Sequence, residues 1–233
     1  MNWRGDKVEI NKTLLKVCGI RSVEEMEELK ELDIDYIGCI FAESPRRVNI
    51  EVSSQIVQLA HKNGKKVVGV FVNAMIRDVV RIVEALKLDV VQLHGNETAE
   101  YCEELKKAFE RIYKNHLNEL ENETKNIRNK TKIWKTFKVE EKLPNINDYK
   151  SLIEYPLFET KGEKAGGNGE IFDWKILKGV NPYSFVLAGG ISPKNIEVAL
   201  FYKPAVVDVN SKVEINDRKA RKLVEEVIKV VKS

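Results

Sequence analysis

Residues Tyr36–Val72 read YIGCIFAESPRRVNIEVSSQIVQLAHKNGKKVVGVFV. A mostly aliphatic run, Tyr36–Phe41, opens the stretch, and a second, Val67–Val72, closes it. Both are too short for a buried helix and read as strands covered on both faces. Between them Val52–His61 carries apolar residues at helical spacing and stops at Asn63-Gly64, a helix terminator. Strand, helix and strand in immediate succession make one βαβ unit of a parallel sheet.

Outward from that unit the alternation repeats. The runs Leu14–Cys18, Val90–Leu93, Ile133–Phe137, Pro156–Glu159, Phe185–Ala188 and Val206–Val209 bring the strands to eight. Val23–Leu32 follows Ser22, an N-cap whose capping box Glu25 completes. Ile76–Leu86 and Ala99–Tyr113 are amphipathic, and Trp174–Leu177 follows Asp173, a second N-cap residue. Asn195–Phe201 follows Ser192-Pro193, Asp217–Val230 closes the chain, and a further helix is expected within Asn147–Glu154. Eight strands alternating with about eight helices in 233 residues predict a single α/β domain, a (βα)8 barrel over residues 13–233, preceded by an N-terminal extension, residues 1–12. An open doubly wound sheet would carry a Gly-rich dinucleotide fingerprint after its first strand, where this chain has Cys18-Gly19-Ile20-Arg21. The polar stretch Asn115–Thr131 reads as an elongated helix end or an exposed loop without catalytic consequence.

Composition narrows the function classes. Apolar residues make up 43% and charged residues 32%, which excludes disordered and collagen-like chains. The net charge of +3 gives no reason to expect nucleic acid as a partner. No apolar run approaches the roughly 18–20 residues of a membrane helix, so no membrane partner is expected. Met1–Asn11 is polar and lacks an apolar signal core, and the three cysteines, Cys18, Cys39 and Cys102, are odd in number and widely spaced. Both features lead us to expect a cytoplasmic protein without disulfides.

In a βα barrel the reactive groups sit at the C-terminal ends of the strands. Gly189-Gly190 after the seventh strand and Asn210-Ser211 after the eighth occupy the usual phosphate site, where glycine lets backbone N–H groups approach an anion. Cys18 ends the first strand and shares the parity of Lys16. A cation beside it would lower the thiol pKa, the alternative being a small buried hydrophobe, as we read Cys39 and Cys102. Arg46 and Arg47 stand on a loop beside the active face, either as a planar clamp for a carboxylate or as a solvated basic loop. Glu159 ends the sixth strand inside an apolar run. Desolvation there would raise its pKa and suit a general acid, unless a neighbouring Lys pairs with it. Asp208 is an acid within the apolar eighth strand and needs a partner. The first strand adjoins the eighth in a closed barrel, so a Lys16–Asp208 ion pair is expected. His94 has no second His or Cys at metal-ligand spacing, and no metal is expected. Phe172-Asp173-Trp174 is expected to cap and pack the sixth helix.

Taken in order along the chain, these segments resemble phosphoribosylanthranilate isomerase, a (βα)8-barrel family of tryptophan biosynthesis. The resemblance runs from about Leu14 to the C-terminus. It rests on Lys16-Val17-Cys18-Gly19-Ile20, Ser44-Pro45-Arg46-Arg47-Val48, Val68-Gly69-Val70-Phe71-Val72-Asn73 and Val91-Gln92-Leu93-His94-Gly95. It continues through Gly166-Gly167-Asn168-Gly169, Phe172-Asp173-Trp174, Leu187-Ala188-Gly189-Gly190-Ile191, Val207-Asp208-Val209-Asn210-Ser211 and Val213-Glu214. The resemblance implies a cofactor-independent, metal-free Amadori rearrangement of N-(5'-phosphoribosyl)anthranilate to 1-(2-carboxyphenylamino)-1-deoxyribulose 5-phosphate. It makes Cys18 the general base and Glu159 the general acid. Arg46 becomes the residue that binds the anthranilate carboxylate, with Arg47 behind it. His94 and Asp208 become substrate-binding residues, and Gly189, Gly190, Asn210 and Ser211 hold phosphate. The partner is then a phosphorylated small molecule, and the family's monomers and dimers leave either state open.

Two positions depart from the family pattern. The family's acid is an Asp, where this chain has Glu159, which moves the acidic proton by roughly 1 Å. The family's Ser-Gly-Val-Glu reads Ser211-Lys212-Val213-Glu214 here, and Lys212 would be strained if that position needs positive φ. A divergent or non-catalytic sugar-phosphate-binding barrel is the alternative reading.

Overall fold

Leu14–Cys18 (β1) pairs in parallel with Tyr36–Ile40 (β2) on one side and with Val206–Val209 (β8) on the other, so the sheet closes on itself. The computed structural model describes residues 12–119, 130–160 and 172–233. Between β2 and β8 run Lys66–Phe71 (β3), Val90–Leu93 (β4), Lys132–Val139 (β5), Tyr155–Thr160 (β6) and Val186–Leu187 (β7), each parallel to its neighbours in a closed barrel. Residues 1–11 of the expected extension lie outside the described residues, as do residues 120–129 of the polar stretch and the Gly166-Gly167-Asn168-Gly169 motif. Among the described residues no helix is long and apolar enough to cross a membrane.

Two apolar zones build the molecule. Side chains alternate along a strand, so every second residue points into the barrel. Its lower interior is packed by Tyr36, Val68, Val90, Trp134, Tyr155 and Val186. Trp134 is fully buried there, edge-on to Tyr36 at 5.1 Å, and its Nε1 donates to Glu154 Oε2 at 2.9 Å. The other zone lies between barrel and helices and contains Leu15, Val17, Ile37, Val91, Leu93 and Val207, from strand positions of opposite parity. Against it pack Val23–Leu29 (α1), Ile50–Lys62 (α2), Ile76–Leu86 (α3), Ala99–Glu119 (α4), Ile196–Phe201 (α5) and Arg221–Val231 (α6). Cys39 and Cys102 are buried in it as small apolar groups.

The described residues thus hold six α-helices where about eight were expected. Asn147–Tyr149 forms only a 3-10 turn between β5 and β6, and Trp174–Leu177, capped by Asp173, is another. The final helix starts at Arg221, not Asp217, because Glu214–Ile215 (β9) and Arg218–Lys219 (β10) form a hairpin first. Its two-residue turn, Asn216-Asp217, has φ of 49° and 58°, a conformation these two residue types tolerate better than others. The N-terminus of α1 differs in one bond. Ser22 accepts from Glu25 N–H, but Glu25 Oε2 reaches back to Arg21 N–H, and its Oε1 accepts from Lys219 N–H at the far end of the chain.

Candidate active site

The upper tier of the barrel interior is polar. Lys16 Nζ lies 2.6 Å from Asp208 Oδ2, with both side chains buried, as their strand register demands. Burial works against the Lys16 charge, yet Asp208 and Cys18 together raise its pKa, so it stays an ammonium. Two residues further up β1 is Cys18, packed with Ile40 and Val70. Gly38 of β2 makes room for it: a Cβ there would lie 2.7 Å from Cys18 Sγ. The expectation of a depressed thiol pKa is overturned. Burial pushes the Cys18 thiol up, and the pull of Lys16 only partly offsets it, because Lys16 is already neutralised by Asp208.

Across the tier, Glu159 meets His94 and Lys138. Its Oε2 lies 2.5 Å from Lys138 Nζ and 3.0 Å from His94 Nε2. Burial alone would raise this carboxyl, but the hydrogen bonds and charges of His94 and Lys138 bring it down to about 2. Glu159 is therefore a carboxylate at rest, which corrects the expectation of a raised, protonated acid. His94 is itself fixed from behind: Gln92 Nε2 lies 3.0 Å and Thr136 Oγ1 3.1 Å from its Nδ1. These contacts turn the Nε2 edge of the ring toward Glu159.

Above these groups opens a cavity. Cys18, His94, Glu159, Asp208, Gly189, Gly190, Asn210 and Ser211 all line it, together with Gln92 and Lys212. Gly189 and Gly190 have φ of 86° and 66°, so the turn after β7 takes a shape that other residues resist, with its backbone facing the cavity uncovered by side chains. Ser211–Val213 is a 3-10 turn and Lys212 has no positive φ, so the expected strain at that departure is absent. Lys212 is exposed on the cavity rim. In the floor, Asp208 Oδ1 and Gln92 Oε1 are buried acceptors without a hydrogen-bond partner among the described residues.

The two arginines stand apart from the lining. Arg47 is exposed. Arg46 donates from Nε and Nη2 to the two oxygens of Glu214, at 2.8 and 2.6 Å. Glu214 Oε1 also takes Lys219 Nζ at 2.5 Å, and the same ammonium donates to Asn210 Oδ1 at 2.8 Å. Glu214, held by these two cations against its burial, has its carboxyl at about 2. This network ties the loop after β2 to the hairpin after β8, beside Gly19 and Cys18.

Sequence reasoning missed Lys138, Glu214 and Lys219 as parts of the site. Lys138 lies past the expected end of its strand but continues the inward parity of Trp134 and Thr136, and that parity was the available signal. Lys219 carries no signal, being one lysine in a basic run.

The family model described as N-(5'phosphoribosyl)anthranilate (PRA) isomerase matches residues 15–230. The chain belongs to this family. A relative from Caldanaerobacter subterraneus subsp. tengcongensis, named N-(5'-phosphoribosyl)anthranilate isomerase, is 36% identical, over 88% of this chain and 91% of its own. The crystal structure of phosphoribosyl anthranilate isomerase from Thermotoga maritima matches with a TM-score of 0.72 at 26% identity, covering 94% of this chain and 98% of that one. A further phosphoribosyl anthranilate isomerase, solved in complex with reduced 1-(o-carboxyphenylamino)-1-deoxyribulose 5-phosphate, matches with a TM-score of 0.68 at 25% identity, again over 94% and 98% of the two chains.

Proposed function

We propose that this chain catalyses the phosphoribosylanthranilate isomerase reaction, the Amadori rearrangement that serves tryptophan biosynthesis. The observation that carries the reading is the convergence on one cavity of a thiol, Cys18, a carboxylate, Glu159, and the positive-φ turn Gly189-Gly190. The reaction needs a base, a proton path to the ring oxygen and an anchor for phosphate, and these three features supply them.

The substrate phosphate sits on the backbone amides of Gly189-Gly190 and Asn210-Ser211, with Lys212 adding a cation at the rim. Asp208 Oδ1 and Gln92 Oε1, both without a partner among the described residues, accept from the sugar hydroxyls. Arg46 binds the anthranilate carboxylate through Nη1, the nitrogen that Glu214 leaves unused. Protonation of the ribose ring oxygen from the Glu159 side opens the ring and leaves a C1=N iminium. Cys18, as thiolate, then takes the proton on C2, and the resulting enolamine tautomerises to the ketone.

Purified protein mixed with phosphoribosylanthranilate should extinguish the anthranilate fluorescence of the substrate, and Cys18→Ala should abolish that loss. Binding without turnover would instead favour a sugar-phosphate-binding barrel.

A further inference from the structure

The guanidinium of Arg46 is already matched by a carboxylate. Its Nε and Nη2 donate to the two oxygens of Glu214, and Nη1 takes no part in that pair. A neutral pair of this kind has little pull on a further anion, because the partner's repulsion nearly cancels the cation's attraction at a similar distance. To bind a substrate carboxylate through Nη1, Arg46 needs a charge that the pair itself does not hold.

Lys219 stands where that charge is needed. Its side chain is 0% exposed, against 6% for Glu214 and 17% for Arg46. Its Nζ donates to Glu214 Oε1 at 2.5 Å, the same oxygen that Arg46 Nε uses. It also donates to Asn210 Oδ1 at 2.8 Å and to Asn210 O at 3.2 Å. Three acceptors match the three donors of an ammonium. Burial lowers the Lys219 pKa, and the contact with Glu214 opposes that. The corner thus holds two cations and one carboxylate, with one positive charge left over. Glu25, which accepts from the Lys219 N–H, is itself paired with Arg21, and Asp217 is exposed on the hairpin turn. The Cys18 thiol is the other group that faces this charge. Gly19 lets the corner close up against the cavity wall: a Cβ there would lie 2.8 Å from Arg46 Cδ and 2.9 Å from Asn210 Oδ1, and Asn210 lines the cavity.

We propose that Lys219 is the positioning residue that makes Arg46 available to an anionic substrate; this rests on the isomerase reading above. Arg46 makes the contact, and Lys219 offsets Glu214 and so leaves the guanidinium charge free to act. With the substrate carboxylate seated on Nη1, the corner holds two cations and two anions. Lys219 itself does not touch the substrate.

The test is calorimetric binding of two ligands. Reduced 1-(o-carboxyphenylamino)-1-deoxyribulose 5-phosphate carries both the carboxylate and the phosphate, and ribose 5-phosphate carries the phosphate alone. Neither needs a proton transfer to bind, so the reactivity of Cys18 does not enter. Lys219→Met takes the corner from one positive charge to none. It should weaken the carboxylate ligand about 10-fold or more and ribose 5-phosphate less than about threefold. Lys219→Met combined with Glu214→Gln leaves Arg46 as the lone charge and should recover most of the loss. This double variant strands no buried ion, so it serves even if the single one does not fold. Glu214→Gln alone adds a positive charge and should bind the carboxylate ligand at least as tightly as wild type, whereas a merely structural network would lose affinity in either direction. Equal weakening of both ligands in Lys219→Met, no recovery in the double variant, or weaker carboxylate binding in Glu214→Gln would overturn the proposal and leave the isomerase reading standing. A wild-type protein that neither binds the reduced product nor turns over phosphoribosylanthranilate would overturn the isomerase reading, and this inference with it.

Discussion

Lys16 and Asp208 are paired in strand register and in charge, with Nζ 2.6 Å from Oδ2 at the seam where the first and last barrel strands meet. Removing one partner leaves the other as a lone buried charge. Lys16→Met should therefore cost about 3–5 kcal/mol in urea unfolding. Lys16→Met combined with Asp208→Leu should recover most of that loss, since a well-packed apolar pair can replace a buried ion pair. A double variant as unstable as the single one would refute this account.

Gly38 sets the position of the thiol. A Cβ at this residue would lie 2.7 Å from Cys18 Sγ and 2.9 Å from Cys18 Cα, and the second neighbour is backbone that cannot swing aside. Gly38→Ala should cost about 1–3 kcal/mol as an overpacked core variant. It should also lower kcat more than it alters KM, because the base is displaced while the phosphate and carboxylate contacts remain. Steady-state kinetics beside a denaturation curve will separate the two effects.

Cys18 must lose a proton before it can act as a base, and its pKa is raised above the ordinary thiol value of 9.0. The thiolate fraction of the free enzyme, and with it kcat/KM, should rise with pH from neutrality into the alkaline range. Lys16 is the largest force opposing that rise in pKa. Lys16→Met, assayed where it remains folded, should move the rising limb further alkaline. A limb that does not move would remove Lys16 from the base's environment.

Acid should unfold the protein through its paired carboxylates. Glu159 and Glu214 are both held at about 2, against an ordinary value of 4.5. The folded state thus binds fewer protons than the unfolded chain in this range, and stability rises with pH. The contribution is complete above about pH 4.5 and is lost as pH falls toward 2. Thermal melting between those limits should show the loss, and Glu214→Gln should flatten the slope.

How far the sequence could be read differs between the two levels of structure. The eight strands were legible because strands buried on both faces leave continuous apolar runs, and Val90–Leu93 and Val206–Val209 match to the residue. The Lys16–Asp208 pair was legible for the same reason: a charge inside such a run stands out, and barrel closure names its neighbour. The hairpin before α6 was obscured because Asn216-Asp217 is a weaker turn signal than Asn-Gly, and the lysines after it resemble a helix start. Ionisation was the least legible property. For Glu159 the sequence left a desolvated acid and a Lys-paired carboxylate both open, and the pKa is set by His94 after β4 and Lys138 of β5. That of Cys18 depends on Asp208, far along the chain, which has already taken up the Lys16 charge. The partner of Arg46, Glu214, lies 168 positions away, in what reads from sequence as the loop after the eighth strand.

The seam between β1 and β8 also fixes when the protein can become an enzyme. Lys16 precedes Asp208 by 192 positions, and the bond from Glu25 to Lys219 spans 194. A ribosome adding about 5–20 residues per second needs about 10–40 s to cover that interval. Throughout it the nascent polypeptide carries a lysine and a thiol whose shared cradle has not yet been translated. Activity should accordingly switch on only after the final segment has been released, with no partial catalyst along the way.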